Sequence, residues 1–119
     1  MRKDDQIRLR HMLEAAKEVM SFMENRTRAD LDKDRKLELA LIKDIEIIGE
    51  AATKLTEECR DAWPHIPWDS IIGMRHRLIH AYFDVNRDIL WSTVEDDLPP
   101  LASEIEKILT SAVTEEPEA

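Results

Sequence analysis

Apolar residues recur at three- and four-residue steps through most of the chain, and each run predicts a helix. Ile7, Leu9, Met12, Leu13, Ala16, Val19, Met20 and Met23 place the first from about Asp4 to Glu24, with Asp4 or Asp5 as its cap. The stretch Asn25-Arg26-Thr27-Arg28-Ala29-Asp30 has almost no apolar content and reads as an exposed loop with room for one helical turn. A second, longer helix follows from about Lys33 to Leu55. Leu37, Leu41, Ile45, Ile48, Ala52 and Leu55 form one face of it, and Ala40, Ile47 and Ala51 widen that face. So broad an apolar arc belongs to a central helix with neighbours on more than one side. Gly49 sits in its middle, where it costs about 1 kcal/mol relative to Ala, so the close approach of another backbone is expected there.

Residues 56–62 fit one more short helix. Trp63-Pro64-His65-Ile66-Pro67-Trp68 then breaks the periodicity, because each proline disfavours helix at the residue before it. A third main helix is expected from Trp68 or Asp69 to about Tyr82, a turn at 84–86, and a fourth helix from Arg87 to Asp97 carrying Ile89, Leu90, Trp91 and Val94. Pro99-Pro100 suits the first turn of a last helix with Leu101, Ile105, Ile108 and Leu109 inward. The three tryptophans read as packing residues. From residue 113 the chain is an acidic tail expected to fray, which leaves residues 1–112 as a single helical domain.

Composition narrows the possible chemistry. With 119 residues, 36% charged, and only 2 glycines, the chain is suited to one all-α domain. A single cysteine, Cys59, allows no internal disulfide and no cysteine-based zinc site, and is expected as a small buried apolar residue. No apolar run reaches the length of a membrane span or a leader, so a cytoplasmic protein with no membrane partner is expected. The net charge of −9 opposes nonspecific binding of nucleic acid, so any such role must rest on a local site. The window from Arg75 to Arg87 runs against the average: Arg75, Arg77 and Arg87 outnumber Asp84.

On a helical wheel at about 100° per residue, Ile71, Met74, Leu78 and Ala81 fall on one side of the third helix, with Tyr82 at the edge. Ile72, Arg75, His76, Ile79, His80 and Phe83 share the other. Three large apolar groups in that set would be wet in a monomer, so Ile72, Ile79 and Phe83 are expected to pair with a second copy across a two-fold axis. On the same wheel Arg75 and His80 differ by about 140° and about 7.5 Å along the axis, while His76 and His80 lie side by side. These residue types suit phosphodiester cleavage. Histidine moves a proton near neutral pH, and arginine presents a planar fork of donors to phosphate oxygens. RNA supplies its own nucleophile in the 2′-hydroxyl, so the expected reaction needs no metal and no cofactor, and no carboxylate stands at metal-ligand spacing from His76 and His80. The same residues on a polar helix face also fit an ordinary solvated or interface surface.

The run Arg75-x4-His80-x-Tyr82 resembles the Arg-x4-His-x-Tyr motif of HepT-type toxins, a branch of the HEPN superfamily. Gly49-Glu50-Ala51-Ala52, Ile66-Pro67-Trp68, Ile71-Ile72-Gly73-Met74-Arg75, Ala81-Tyr82-Phe83-Asp84-Val85 and Trp91-x6-Leu98-Pro99 are similar to recurring segments of that family in the same order. The resemblance covers nearly the whole chain apart from residues 25–33 and the tail. It implies an all-α, up-down bundle of four to five main helices that forms a homodimer through the motif face. It also implies a metal-independent endoribonuclease toxin of a type VII-like toxin–antitoxin system, with tRNA as the expected RNA class. Arg75 and His80 would be the catalytic pair and Tyr82 the acceptor of AMP from a small MntA-like nucleotidyltransferase antitoxin. The residue after the motif arginine is often asparagine in such proteins. Here it is His76, which keeps the capacity to hydrogen-bond and could orient substrate. Two rival readings remain open from sequence: a catalytically silent module that docks a nucleotidyltransferase or holds a nucleotide, and a purely structural dimer.

Overall fold

The first helix, α1 (Lys3–Phe22), buries Leu9, Met12, Ala15, Ala16 and Val19 along one stripe, as its periodicity requires. A computed structural model describes the backbone of residues 1–81 and 84–115, and the side chains of all of these except 79–81 and 112–115. Neither Asp4 nor Asp5 caps α1. Its N-cap position is Arg2, and the carboxylate of Asp5 turns inward. There Asp5 accepts the Thr56 backbone N–H at 2.9 Å and the Thr56 hydroxyl at 2.7 Å, while Thr56 caps the short helix α4 (Glu57–Ala62) through the Cys59 N–H. One buried acid thus fastens the start of α1 to the start of α4. Cys59 is buried beside this junction, and desolvation, with Asp5 nearby, pushes its thiol up to about 11. It is the packing residue the sequence predicts.

The charged stretch after α1 folds into one short helix, α2 (Arg28–Lys33), whose Asp30 side chain accepts the Thr27 N–H at its start. The central helix α3 (Arg35–Thr53) begins at Asp34, which caps it by accepting the Leu37 N–H. It packs on α1 and also on the two helical turns α5 (Trp68–Ile72) and α6 (Met74–Leu78), the two-sided burial its broad apolar arc requires. A backbone does pass Gly49, but a Cβ there would meet the carbonyl oxygens of Ile71 and Ile72 at 3.5 and 3.6 Å, ordinary contact that does not require glycine. The Trp63–Trp68 segment is closed by the Trp68 indole, whose N–H donates to the carbonyls of Arg60 and Trp63.

The continuous third helix does not form. It divides at Gly73, and the helical path ends at Leu78. Strands β1 (Ile79–Ala81) and β2 (Asp84–Val85) follow, paired antiparallel. The break has a hydrogen-bond cause. In a continued helix the Leu78 carbonyl would accept from the N–H four residues on; here it accepts from the Asn86 N–H at 2.8 Å. Asn86 then caps α7 (Arg87–Ser92) by accepting the Ile89 N–H. The expected core stripe survives as Ile71, Met74 and Leu78, all buried.

The expected fourth helix runs as α7 and then a wide turn, Thr93–Asp97, in which the Leu98 N–H reaches the Thr93 carbonyl. Pro99 and Pro100 have no N–H to offer the turn before them, and the Thr93 hydroxyl donates to the Ile89 carbonyl at 2.8 Å, a local bond of the kind that bends helices. The last helix, α8 (Leu98–Glu115), holds both prolines in its first turn and packs on α1. Residues 116–119 of the expected acidic tail lie outside the described residues. The result is an all-α bundle of α1, α3 and α8 with one minor hairpin, and no helix among the described residues is long and apolar enough to cross a membrane.

Candidate functional site

The hairpin that carries the motif histidine is anchored on both sides. Leu78 is fully buried before it. After it, Arg87 at the start of α7 donates to Glu38 at 2.8 Å, a carboxylate on α3 that is 0% exposed and also bound by Arg35 at 2.9 Å. A buried acid with two guanidinium partners holds its position firmly, since together they compensate a carboxylate taken out of water. Arg87 is therefore a structural cation and not part of a phosphate grip.

The pairing of β1 with β2 is irregular. Ile79 faces Val85 and Ala81 faces Asp84, so two steps on one strand match a single step on the other. The register shifts at His80, as at a bulge or a similar irregularity. Bulges are over-represented beside active sites. This backbone differs from the wheel on which His76 and His80 were neighbours at one helical turn; the helix ends between them. The side chains of Ile79 and His80, and all of Tyr82 and Phe83, lie outside the described residues.

Upstream of the hairpin, α5 and α6 form one wall of an open cleft of about 560 Å³, with α1 and α3 as the other. Ile72, half-buried at the end of α5, and the exposed Arg75 and His76 of α6 all line it. The arginines of the window diverge because Arg75 and Arg77, two positions apart on α6, point about 200° apart. Arg75 faces the cleft, whereas Arg77 donates to the Ser70 carbonyl at 3.2 Å on another side. Within the cleft the Nε of Arg75 donates to Oε1 of Glu46 on α3 at 2.7 Å. That bond uses one edge of the guanidinium and leaves the two terminal amino groups for another acceptor.

Several residues of this cleft escape motif reading: Arg8 and His11 on α1, and Lys43, Glu46, Glu50 and Lys54 on α3. A signal for the α3 set exists, because its charged positions recur at steps of three and four and mark the polar face of an otherwise apolar helix. Ile47 lies among them and is 36% exposed, beside the half-buried Ile72. It adds an apolar position to the face where pairing is expected. Next to the cleft, Asp44 of α3 is buried against Glu18 of α1. Desolvation, then a hydrogen bond and repulsion from Glu18, raise the Asp44 carboxyl to about 7.

Comparison of the sequence with known proteins gives the chain a family. Residues 12–108 fit the ribonuclease HepT-like family model. The chain belongs to that family. Among similar proteins, a "putative RNase" of Methanocaldococcus jannaschii is 35% identical over 91% of this chain and 89% of its own length. The "probable ribonuclease HepT" of Thermococcus cleftensis is 39% identical over 81% of this chain and 91% of its own. A third, named "gamma-glutamylcyclotransferase and putative RNase" in M. jannaschii, is 40% identical over 92% of this chain; the match spans only 49% of that longer protein. No solved structure matches significantly. The enzyme class expected from the motif, a ribonuclease, is that of the HepT-like family, and the all-α bundle is the fold expected with it.

Proposed function

We propose that this HepT-like chain is a metal-independent endoribonuclease toxin whose working form is a homodimer. Arg75 and His80 are its catalytic pair. The observation that carries the reading is the exposure of Arg75 and His76 on the wall of an open cleft, a few residues before the register shift at His80, in a chain of a ribonuclease family.

The chemistry is transesterification. The RNA 2′-oxygen loses its proton, attacks the adjacent phosphorus, and the bond from phosphorus to the 5′-oxygen breaks. The leaving oxygen takes a proton, so the products are a 2′,3′-cyclic phosphate and a 5′-hydroxyl. His80 moves the proton, the general acid/base role for which histidine is the usual side chain. Arg75 donates to the phosphate oxygens on which charge grows, where such donors have their greatest effect. His76 orients the strand beside it.

Pairing two copies through Ile72, Ile79 and Phe83, with Ile47 at the rim, would bring two such sets into one cytoplasmic cleft. Transfer RNA is the substrate class the resemblance favours. Tyr82 is the proposed acceptor of AMP from an MntA-like nucleotidyltransferase antitoxin: a bound nucleotide would place negative phosphate and bulk beside the histidine.

The test is incubation of the purified chain with tRNA in excess chelator. Cleavage leaving 2′,3′-cyclic phosphate ends is expected, and a 2′-deoxy substitution at the cut site should abolish it. Cleavage that survives that substitution would rule out the 2′-hydroxyl route.

A further inference from the structure

The charges of the cleft do not cancel. Arg8, Lys43, Lys54 and Arg75 line it against Glu46 and Glu50, four cations to two anions in a chain of net charge −9. Both carboxylates are taken: Glu46 binds Arg75 at 2.7 Å and Glu50 pairs with Lys54 at 3.5 Å. That leaves Arg8 and Lys43 uncompensated among the described residues. Arg8 carries a further mark, since its Nε is buried and has no hydrogen-bond partner. That atom faces inward, so what an incoming anion meets is the charge of the half-buried guanidinium at the cleft wall.

We infer that Arg8 of α1 and Lys43 of α3 bind phosphates of a single RNA strand flanking the bond cleaved at Arg75 and His80. The inference rests on the ribonuclease reading above and adds the path of the substrate. An acidic protein repels RNA at long range, so productive binding needs local cations besides the one reserved for the reacting phosphate. The cleft supplies them on the wall opposite Arg75, in a volume of about 560 Å³. The residue types suit backbone contact: arginine offers a fork to phosphate oxygens and lysine a point charge, and neither reads a base. The exposed His11 stands on the same wall, one turn of α1 beyond Arg8.

The experiment measures binding of a short fluorescent 2′-O-methyl RNA, which cannot be cleaved, by anisotropy across a range of salt. Wild type, Arg8→Gln, Lys43→Gln and Lys107→Gln are compared, the last as an equal charge change at an exposed position on α8. Arg8→Gln and Lys43→Gln should each weaken binding about tenfold at low salt and lower the slope of log K against log salt by about 0.7. With cleavable RNA, KM should rise and kcat stay within about twofold, because uniform binding is what has been removed. Lys107→Gln should match wild type. Wild-type affinity and slope in Lys43→Gln, whose exposed side chain makes it safe for folding, would overturn the assignment. So would an equal loss in Lys107→Gln. Wild type that neither binds nor cuts RNA would sink the ribonuclease reading itself, whereas cleavage indifferent to Arg8 and Lys43 sinks only the strand path.

Discussion

Arg75 of α6 and Glu46 of α3 form a 2.7 Å ion pair through the guanidinium Nε, at the wall of the cleft where the motif begins. Both side chains are well exposed, 50% and 33%, so the pair contributes well under about 1 kcal/mol to folding. Its value lies in orientation: it fixes the plane of the guanidinium and directs the free amino groups. Glu46→Ala is therefore expected to lower kcat by about 10- to 100-fold with a melting temperature near that of wild type, and Glu46→Gln, which still accepts a hydrogen bond, should retain more activity. Steady-state kinetics beside thermal unfolding checks this. Activity unchanged in Glu46→Ala would show that Arg75 needs no such support.

Gly49 tests how close the approach of α5 to α3 is. The distances of 3.5 and 3.6 Å from a Cβ to the Ile71 and Ile72 carbonyls are ordinary contact, and no positive φ holds the residue. Gly49→Ala should stabilise the helix by about 1 kcal/mol, raising the melting temperature by about 4 °C. A clear drop instead would mean that the approach is tighter than these distances allow.

Asp44 makes folding sensitive to pH in a defined direction. Its carboxyl rises from the ordinary 3.8 to about 7 in the fold, through burial first and Glu18 second. Between those values the folded state binds more protons than the unfolded one, so this residue's contribution to stability falls as pH rises from about 4 to about 7 and is level beyond. Asp44→Asn should remove that decline and stabilise the protein at about pH 8 by about 1–3 kcal/mol. Urea unfolding of both proteins at several pH values decides it; an identical slope in the two would place the raised carboxyl elsewhere.

Tyr82 is the expected site of control. Co-expression with an MntA-like nucleotidyltransferase should add the mass of at least one adenylyl group to the intact chain, and Tyr82→Phe should remain unmodified and stay toxic. Modification that persists in Tyr82→Phe would move the acceptor to another residue.

Much of this architecture is legible in the sequence because local pattern and tertiary packing agree. The stripes of α1, α3 and α8 bury most of the residues their periodicity selects, Ile7 and Ile47 being the exposed exceptions, and the proline pair opens α8 where it should. The misreading at 69–82 has a clear cause. Ile72, Arg75, His76 and Ile79 continue a helical pattern, but the carbonyl of Leu78 is claimed by Asn86, eight residues on. Periodicity carries no information about such a partner. The same holds for Asp5, a residue that reads as a cap and instead binds Thr56, and for Glu38 and Arg87, which meet across the bundle. At the proposed site, the motif residues stand out in the sequence by residue type and spacing. The α1 wall does not, because Arg8 joins Arg75 only once the helices are packed.

The most direct test of the account compares cleavage of tRNA by wild type, Arg75→Ala and His80→Ala in chelator, with circular dichroism to confirm folding. Each substitution should lower the rate by at least about 100-fold. His80→Ala that is folded and cuts RNA at the wild-type rate would contradict the central claim.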